Sequence, residues 1–194
     1  MAQATELAGR TYPQQVKLAG GREATLRLMT RDDRDALLAL ARSLPQDDLL
    51  FLRMDITDPS VVDQLLSRIG SRRTITVLAE IDGRLAGYAS VHHNEVLWTR
   101  HVGEIRMIID PKFRRLHLGH RLANEVFAIA KGLGLRKITA QMTPDQAGAR
   151  ATFERLGFQP EALLADYVVD RKGQTRDLLI MSYDIAGFHD TAEA

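Results

Sequence analysis

Cysteine is absent from the 194 residues, which excludes disulfides, thiolate metal sites and a cysteine nucleophile, and suits a reducing compartment. Neither sign of charge is in excess: 26 Lys plus Arg stand against 25 Asp plus Glu, for a formal net charge of +1. That balance argues against a global attraction to nucleic acid or anionic membranes, so any basic site has to be local. No apolar run approaches the ~20 residues of a membrane span, and Met1 to Tyr12 lacks the apolar centre of a signal peptide. Internal repeats and low-complexity tracts are missing, and His and Asp do not fall at metal-ligand spacings, so no metal site is expected. What is present is 45% hydrophobic and 26% charged, the composition of a globular chain, at a length within the ~100–200 residues of one domain. The expectation is a single cytoplasmic domain over residues 13–185, with a loose polar arm at 1–12 and a tail at 186–194.

Alternation of Val16 and Leu18, then Ala24, Leu26 and Leu28, around Gly20-Gly21 predicts a β-hairpin. Thr30, followed by Asp32 and Asp33, opens a helix whose stripe Leu37, Leu38, Leu40, Ala41 ends at Pro45. A short helical piece is expected from about Asp47 to Arg53, and Asp58-Pro59-Ser60 opens another that Gly70 stops. Beyond Arg73 the chain turns β-rich. Thr74 to Ile81 and Arg84 to His92 flank Asp82-Gly83, a hairpin signal, and a third strand spans about His101 to Ile109. The helical pattern Leu118, Leu122, Val126, Ile129 follows, then a short strand from Arg136 to Gln141. Thr143-Pro144-Asp145-Gln146 predicts a capped helix start, with the helix closing at Gly157. Strands at about Leu163 to Val169 and Arg176 to Tyr183 complete the chain. A strand–helix–strand–helix unit set between hairpins makes the fold class α+β, with a central mixed, mostly antiparallel sheet flanked by helices.

The segment Lys112-Phe113-Arg114-Arg115-Leu116-His117-Leu118-Gly119-His120-Arg121 carries the most chemistry. A helix start bears unpaired N–H groups and about half a positive charge, so a cluster of basic side chains there has the wrong sign for stability. No Ser, Thr, Asp or Asn stands at the cap before Gly119. A bound anion would supply both the acceptors and the charge, as phosphate does at helix starts, with Gly119 admitting it close to the backbone. The competing reading makes Asp110-Pro111 the cap of a helix that starts earlier and leaves the arginines as a solvated face.

Ile109-Asp110-Pro111 followed by Arg114-x-x-His117-x-Gly119 resembles the acyl-CoA-binding motif of the GNAT N-acetyltransferase superfamily, with His117 at the usual position of the first glycine. Gln146-x-x-Ala149-x-x-x-Phe153-x-x-x-Gly157-Phe158 is similar to that family's second motif, with Gln146 for Asn and Phe153 for the Tyr that often serves as general acid. The likeness covers about Thr74 to Tyr183. It implies a GNAT-like fold with acetyl-CoA as cosubstrate, lying in a V-shaped opening beside the strand that ends at Ile109. Main-chain groups of Met107, Ile108 and Ile109 would hold the pantetheine arm and polarise the thioester. Arg114, Arg115, Leu116, His117, Leu118, Gly119 and His120 would bind the pyrophosphate, with Gln146 also at the cofactor.

Acyl transfer to a lysine-like amine needs a base, since roughly four molecules in ten thousand are neutral at pH 7. Glu104, on the strand leading to the opening, is the candidate, against an exposed carboxylate paired with Arg106 or Arg100. His92 or His93 must face the same cleft. Tyr167 and Tyr183 could replace the missing acid, though a thiol leaves with little protonation, and Phe153 suits the core. Asp47-Asp48 could attract a cationic acceptor, or be a solvated helix start. The partners implied are acyl-CoA and an amine, with no nucleic acid and no membrane, and relatives often form homodimers. Amino acids, polyamines, antibiotics and protein amines all remain open as acceptors. The rival classes are a non-catalytic acyl-CoA sensor and a nucleic-acid binder using Arg114, Arg115 and Arg121.

Overall fold

A computed structural model describes residues 5–49, 54–71 and 73–187. Its main sheet has eight strands in the order β3-β4-β5-β6-β7-β8-β10-β9. These are β3 (Gln14–Lys17), β4 (Glu23–Leu28), β5 (Thr74–Ile81), β6 (Arg84–His93), β7 (Val102–Ile109), β8 (Lys137–Met142), β9 (Gln159–Val169) and β10 (Thr175–Asp184). Every neighbouring pair is antiparallel except β7 and β8, which run parallel. The Asp82-Gly83 turn joins β5 to β6 with both residues at positive φ, the geometry a two-residue hairpin needs.

Helices cover both faces. On one lie α4 (Leu118–Gly132) and α5 (Ala147–Arg155), whose Leu122, Val126, Phe127 and Phe153 pack with Val77, Ala89, Val91 and Ile105 of the sheet. On the other lie α1 (Arg34–Ser43) and α3 (Pro59–Ser67), whose Leu37, Leu40, Val62 and Leu66 pack on Leu78 and Leu85. The Thr30 N–H donates to the Asp33 carboxylate at 2.7 Å, and one 3₁₀ turn (Arg31–Asp33) precedes α1. Asp58 caps α3 by accepting from the Ser60 N–H at 2.8 Å. The short α2 (Gln46–Leu49) begins where a helix over 47–53 was expected; residues 50–53 lie outside the described residues.

Three sequence expectations need correction. Within the expected loose arm, β1 (Thr5–Leu7) and β2 (Arg10–Tyr12) pair as a separate two-stranded ribbon around Ala8-Gly9, both at positive φ. The ribbon is fixed because Arg10 ion-pairs with the buried Glu125 of α4 and the Tyr12 hydroxyl donates to it at 2.9 Å. Next, α5 starts at Ala147, after the expected Thr143 cap: the Thr143 hydroxyl caps nothing, while the Gln146 side chain accepts from the Thr143 N–H at 3.1 Å. Lastly, a 3₁₀ turn (Ile185–Gly187) begins at the buried Ile185, the expected last residue of the domain, and carries regular structure two residues into the expected tail; the chain from 188 lies outside the described residues.

Candidate active site

The parallel pairing of β7 with β8 covers only Val102, Gly103 and Glu104, against Lys137, Ile138 and Thr139. Beyond Glu104 the two strands separate, while β7 stays paired to β6 without a register shift as far as Ile109. Main-chain directions alternate along a strand. Asp110 N–H donates to Ala86 on the β6 side, whereas the His101 carbonyl accepts from Arg136 on the β8 side. Met107 and Ile109 therefore turn their N–H and C=O groups into the opening. Ile108 does not: its main chain faces Tyr88 of β6 and its side chain joins the cluster under α1 and α3. The expectation that Ile108 offers main-chain groups is corrected by that alternation.

At the mouth of the opening the basic segment takes a specific shape. Asp110 caps a single 3₁₀ turn (Pro111–Phe113), accepting from the Lys112 N–H and the Ser43 hydroxyl at 2.9 Å each. That turn stops at Arg114, so Asp110 does not cap α4, which begins anew at Leu118. His117 precedes α4 in the left-handed region at φ 61° and supplies no side-chain cap; Arg115 is also left-handed, at φ 65°. The first bond of the helix ladder runs from the Arg121 N–H to the His117 carbonyl, so Leu118, Gly119 and His120 have N–H groups without an acceptor in the helix. Arg115, His117 and His120 are exposed beside them, Leu118 is core, and the Leu116 carbonyl accepts from Ala19 at 3.2 Å. A Cβ on Gly119 would come within 3.1 Å of Ile109 Cδ1. Partial desolvation of the ring, then the neighbouring Arg121 and His117, holds the His120 imidazole below its usual pKa. This set of orphan N–H groups, basic side chains and free β7 main chain fits an anionic thioester cosubstrate.

The opening continues into a cleft of about 1340 Å³ that Leu44 just beyond α1, Leu65 of α3 and the start of α5 also line. Its floor lies on a ladder of same-face positions across three strands, with Thr74, His92 and Glu104 in one row, Thr76, Ser90 and Arg106 in the next, then Leu78, Tyr88 and Ile108; all but Thr74 and the buried Leu78 line the cleft. His92 Nδ1 lies 3.0 Å from the Thr74 hydroxyl, and the Thr76 and Ser90 hydroxyls are 3.0 Å apart. Arg106 Nε donates to Glu104 Oε1 at 2.9 Å, with Glu104 only 18% exposed. The pairing with Arg106 is the one expected, but the carboxylate is half-buried rather than solvated. Burial pushes the Tyr88 phenol up to about 12, against a lowering by Arg106.

Other candidates distribute unevenly. Gln146 lines the cleft, as does Arg114, which ion-pairs with Asp48 across it; the side chain of Asp47 lies outside the described ones. Phe153 is 8% exposed and meets Phe158 edge-on at 5.0 Å, and Tyr183 stacks on Phe127, so both belong to packing. Tyr167 lines the outer cleft, largely exposed. Among the described residues no group of three or more His, Asp and Glu could hold a metal, and no helix is long and apolar enough to cross a membrane. Arg106, Tyr88 and the Thr76–Ser90 couple were missed as site residues; their i, i+2 spacing from Glu104, Ser90 and Leu78 was the available signal.

The family described as Acetyltransferase (GNAT) family matches residues 38–158. The chain belongs to the GNAT acetyltransferase family. GNAT acetyltransferases use acetyl-CoA, and solved structures with the same fold include liganded ones. The Salmonella typhimurium protein yncA with its cofactor acetyl-CoA is 20% identical, covering 85% of this chain and 95% of its own, at a TM-score of 0.70. RimJ of Mycobacterium smegmatis in complex with CoA-disulfide is 19% identical over 94% of this chain and 93% of its own, at 0.73. A GNAT-family acetyltransferase of Streptococcus pneumoniae is 21% identical over 83% of this chain and 99% of its own, at 0.70. The opening between β7 and β8 and the α4 start are thus set in the GNAT fold.

Proposed function

We propose that the protein transfers an acetyl or other short acyl group from acyl-CoA directly to a primary amine. The observation that carries this reading is the separation of β7 from β8 directly after Glu104, which sets a carboxylate beside unpaired main-chain groups. Acyl-CoA supplies the activated thioester. Met107 and Ile109 main-chain groups would hold its pantetheine arm and stabilise charge developing on the thioester oxygen, as an oxyanion hole does. The Leu118, Gly119 and His120 N–H groups, with Arg115, His117 and His120 around them, would hold the pyrophosphate. Arg114, shared with Asp48, and Gln146 would border the same ligand.

Glu104 is the proposed base. It accepts the proton of the amine, directly or through one water, as nitrogen bonds to the acyl carbon and the carbon–sulfur bond breaks. Phe153 carries no proton to give, so the leaving thiolate takes one from water. The protein has no cysteine, so no cysteine acyl-enzyme intervenes.

Glu104→Gln tests the assignment while keeping the bond to Arg106 available. Turnover with acetyl-CoA and amine is expected to fall by about 100-fold or more, its pH profile to shift, and acetyl-CoA affinity to hold. An unchanged rate removes Glu104 from the mechanism. The missing hydroxyl at Phe153 and His117 in place of the first motif glycine support a sensor, and tight acetyl-CoA binding without amine-dependent thiol release would favour it.

A further inference from the structure

Charge in the cleft is matched almost pair by pair. Asp48 is bonded to Arg114, Asp170 to Arg176 at 3.2 Å, and Glu104 to Arg106 at 2.9 Å. An acidic field that would gather a polycation is therefore neutralised at each of these positions. Arg106 differs from the other two arginines in its place. It sits in the middle of the floor, between Glu104 on its own strand and Ser90 across from it, at 34% exposure. Glu104 engages only its Nε edge. The other edge, with both terminal NH₂ groups, makes no hydrogen bond or ion pair among the described residues and faces a cleft that Arg106 lines, with Tyr88 near enough to feel its charge. A half-buried guanidinium with its paired-donor edge open is shaped for a carboxylate.

The wall opposite this floor has another character. Met29, Leu44, Met54, Ile56 and Leu65 line it, an apolar surface with two flexible thioethers that accommodates a medium-sized side chain. Three chemistries thus meet in one compartment. A carboxylate beside the opening can take up an amine's proton, a guanidinium next to it can hold an anion, and an apolar wall faces both.

We propose that Arg106 clamps the carboxylate of the acceptor, and that the acceptor is a free α-amino acid with an apolar side chain. The adjacency of Glu104 and Arg106 mirrors the adjacency of amine and carboxylate in such a molecule. This inference rests on the amine-acceptor reading above and names the substrate class. A polyamine or a protein lysine would leave the open edge of Arg106 desolvated and unpaired, at a cost in binding.

The test compares methionine with methioninamide, which keeps the amine and the side chain but not the negative charge. Thiol release from acetyl-CoA is followed for the full-length protein and for Arg106→Gln. The amide's amine is the less basic and is neutral more often, so amine ionisation alone favours the amide. The acid is nevertheless expected to have the higher kcat/KM by at least about tenfold. In Arg106→Gln that preference is expected to vanish, mainly through KM for the acid, with acetyl-CoA affinity unchanged. Equal or better use of the amide or of spermidine by the unaltered protein, or a preference that survives in Arg106→Gln, overturns the proposal. If no amine is acetylated, the transfer reading fails and the clamp is judged separately by calorimetry with N-acetylmethionine in the presence of CoA. Saturable binding that Arg106→Gln abolishes supports the clamp; absence of binding overturns it.

Discussion

His117 stands at φ 61° where a glycine would sit without penalty. A side chain in that region costs about 1–2 kcal/mol, partly offset because glycine loses more freedom on folding. His117→Gly is expected to stabilise the protein by about 0.5–1 kcal/mol, read as a rise in Tm. A fall in Tm would show that the imidazole makes a contact worth more than the strain. At this scale the sequence located the loop well, because basic residues without a cap before Gly119 violate ordinary helix-start chemistry. It did not reveal which strand residues face where. Ile108 was grouped with Met107 and Ile109, and Arg106 entered only as a partner for Glu104, since facing depends on a register fixed by β6.

Elements announced by their own turn chemistry were legible: the Asp82-Gly83 hairpin, the Asp58-capped α3, and α4 with its apolar stripe. The β1–β2 ribbon was not, because Ala8 is no turn signal and its anchor lies far away in sequence. Glu125 of α4 takes Arg10 and Tyr12 from 115 and 113 residues distant. Contact is close enough that a Cβ on Gly132 would fall 2.5 Å from the Ala8 Cβ. Burial, reinforced by the Glu125 carboxylate, drives the Tyr12 phenol far up, so that hydroxyl stays a donor. Glu125→Ala would remove the buried acceptor that the Arg10 guanidinium and the Tyr12 phenol share. A loss of about 3 kcal/mol is expected in chemical denaturation, with Tyr12→Phe costing about 1 kcal/mol. A loss below 1 kcal/mol for Glu125→Ala would mean that the ribbon adds little to the fold.

Across the whole molecule, folding depends on carboxylates held ionised. Burial alone would raise the Asp33 carboxyl, but donors from Arg27 and Thr30 outweigh it and hold it below the usual range. The N–H of Gln174, against burial and with help from Lys172 and Arg176, does the same for Asp170. Groups whose folded pKa is depressed contribute fully above the unfolded value, about pH 4, and lose that contribution as pH falls through the folded one. Tm is therefore expected to drop between about pH 4 and pH 2, and to drop less in Asp33→Asn; a flat Tm over that span would contradict the coupling. The same whole-molecule view explains the cleft. An eight-stranded sheet with one parallel pair that parts after Glu104 leaves main chain unpaired at its centre, and α4 begins where that gap ends. Titration calorimetry with acetyl-CoA, on the unaltered protein and on Gly119→Glu, tests this most directly. Saturable one-to-one binding, weakened at least about tenfold by the added bulk and like charge at the α4 start, is expected. No heat of binding, or equal affinity in both, would contradict a cosubstrate held there.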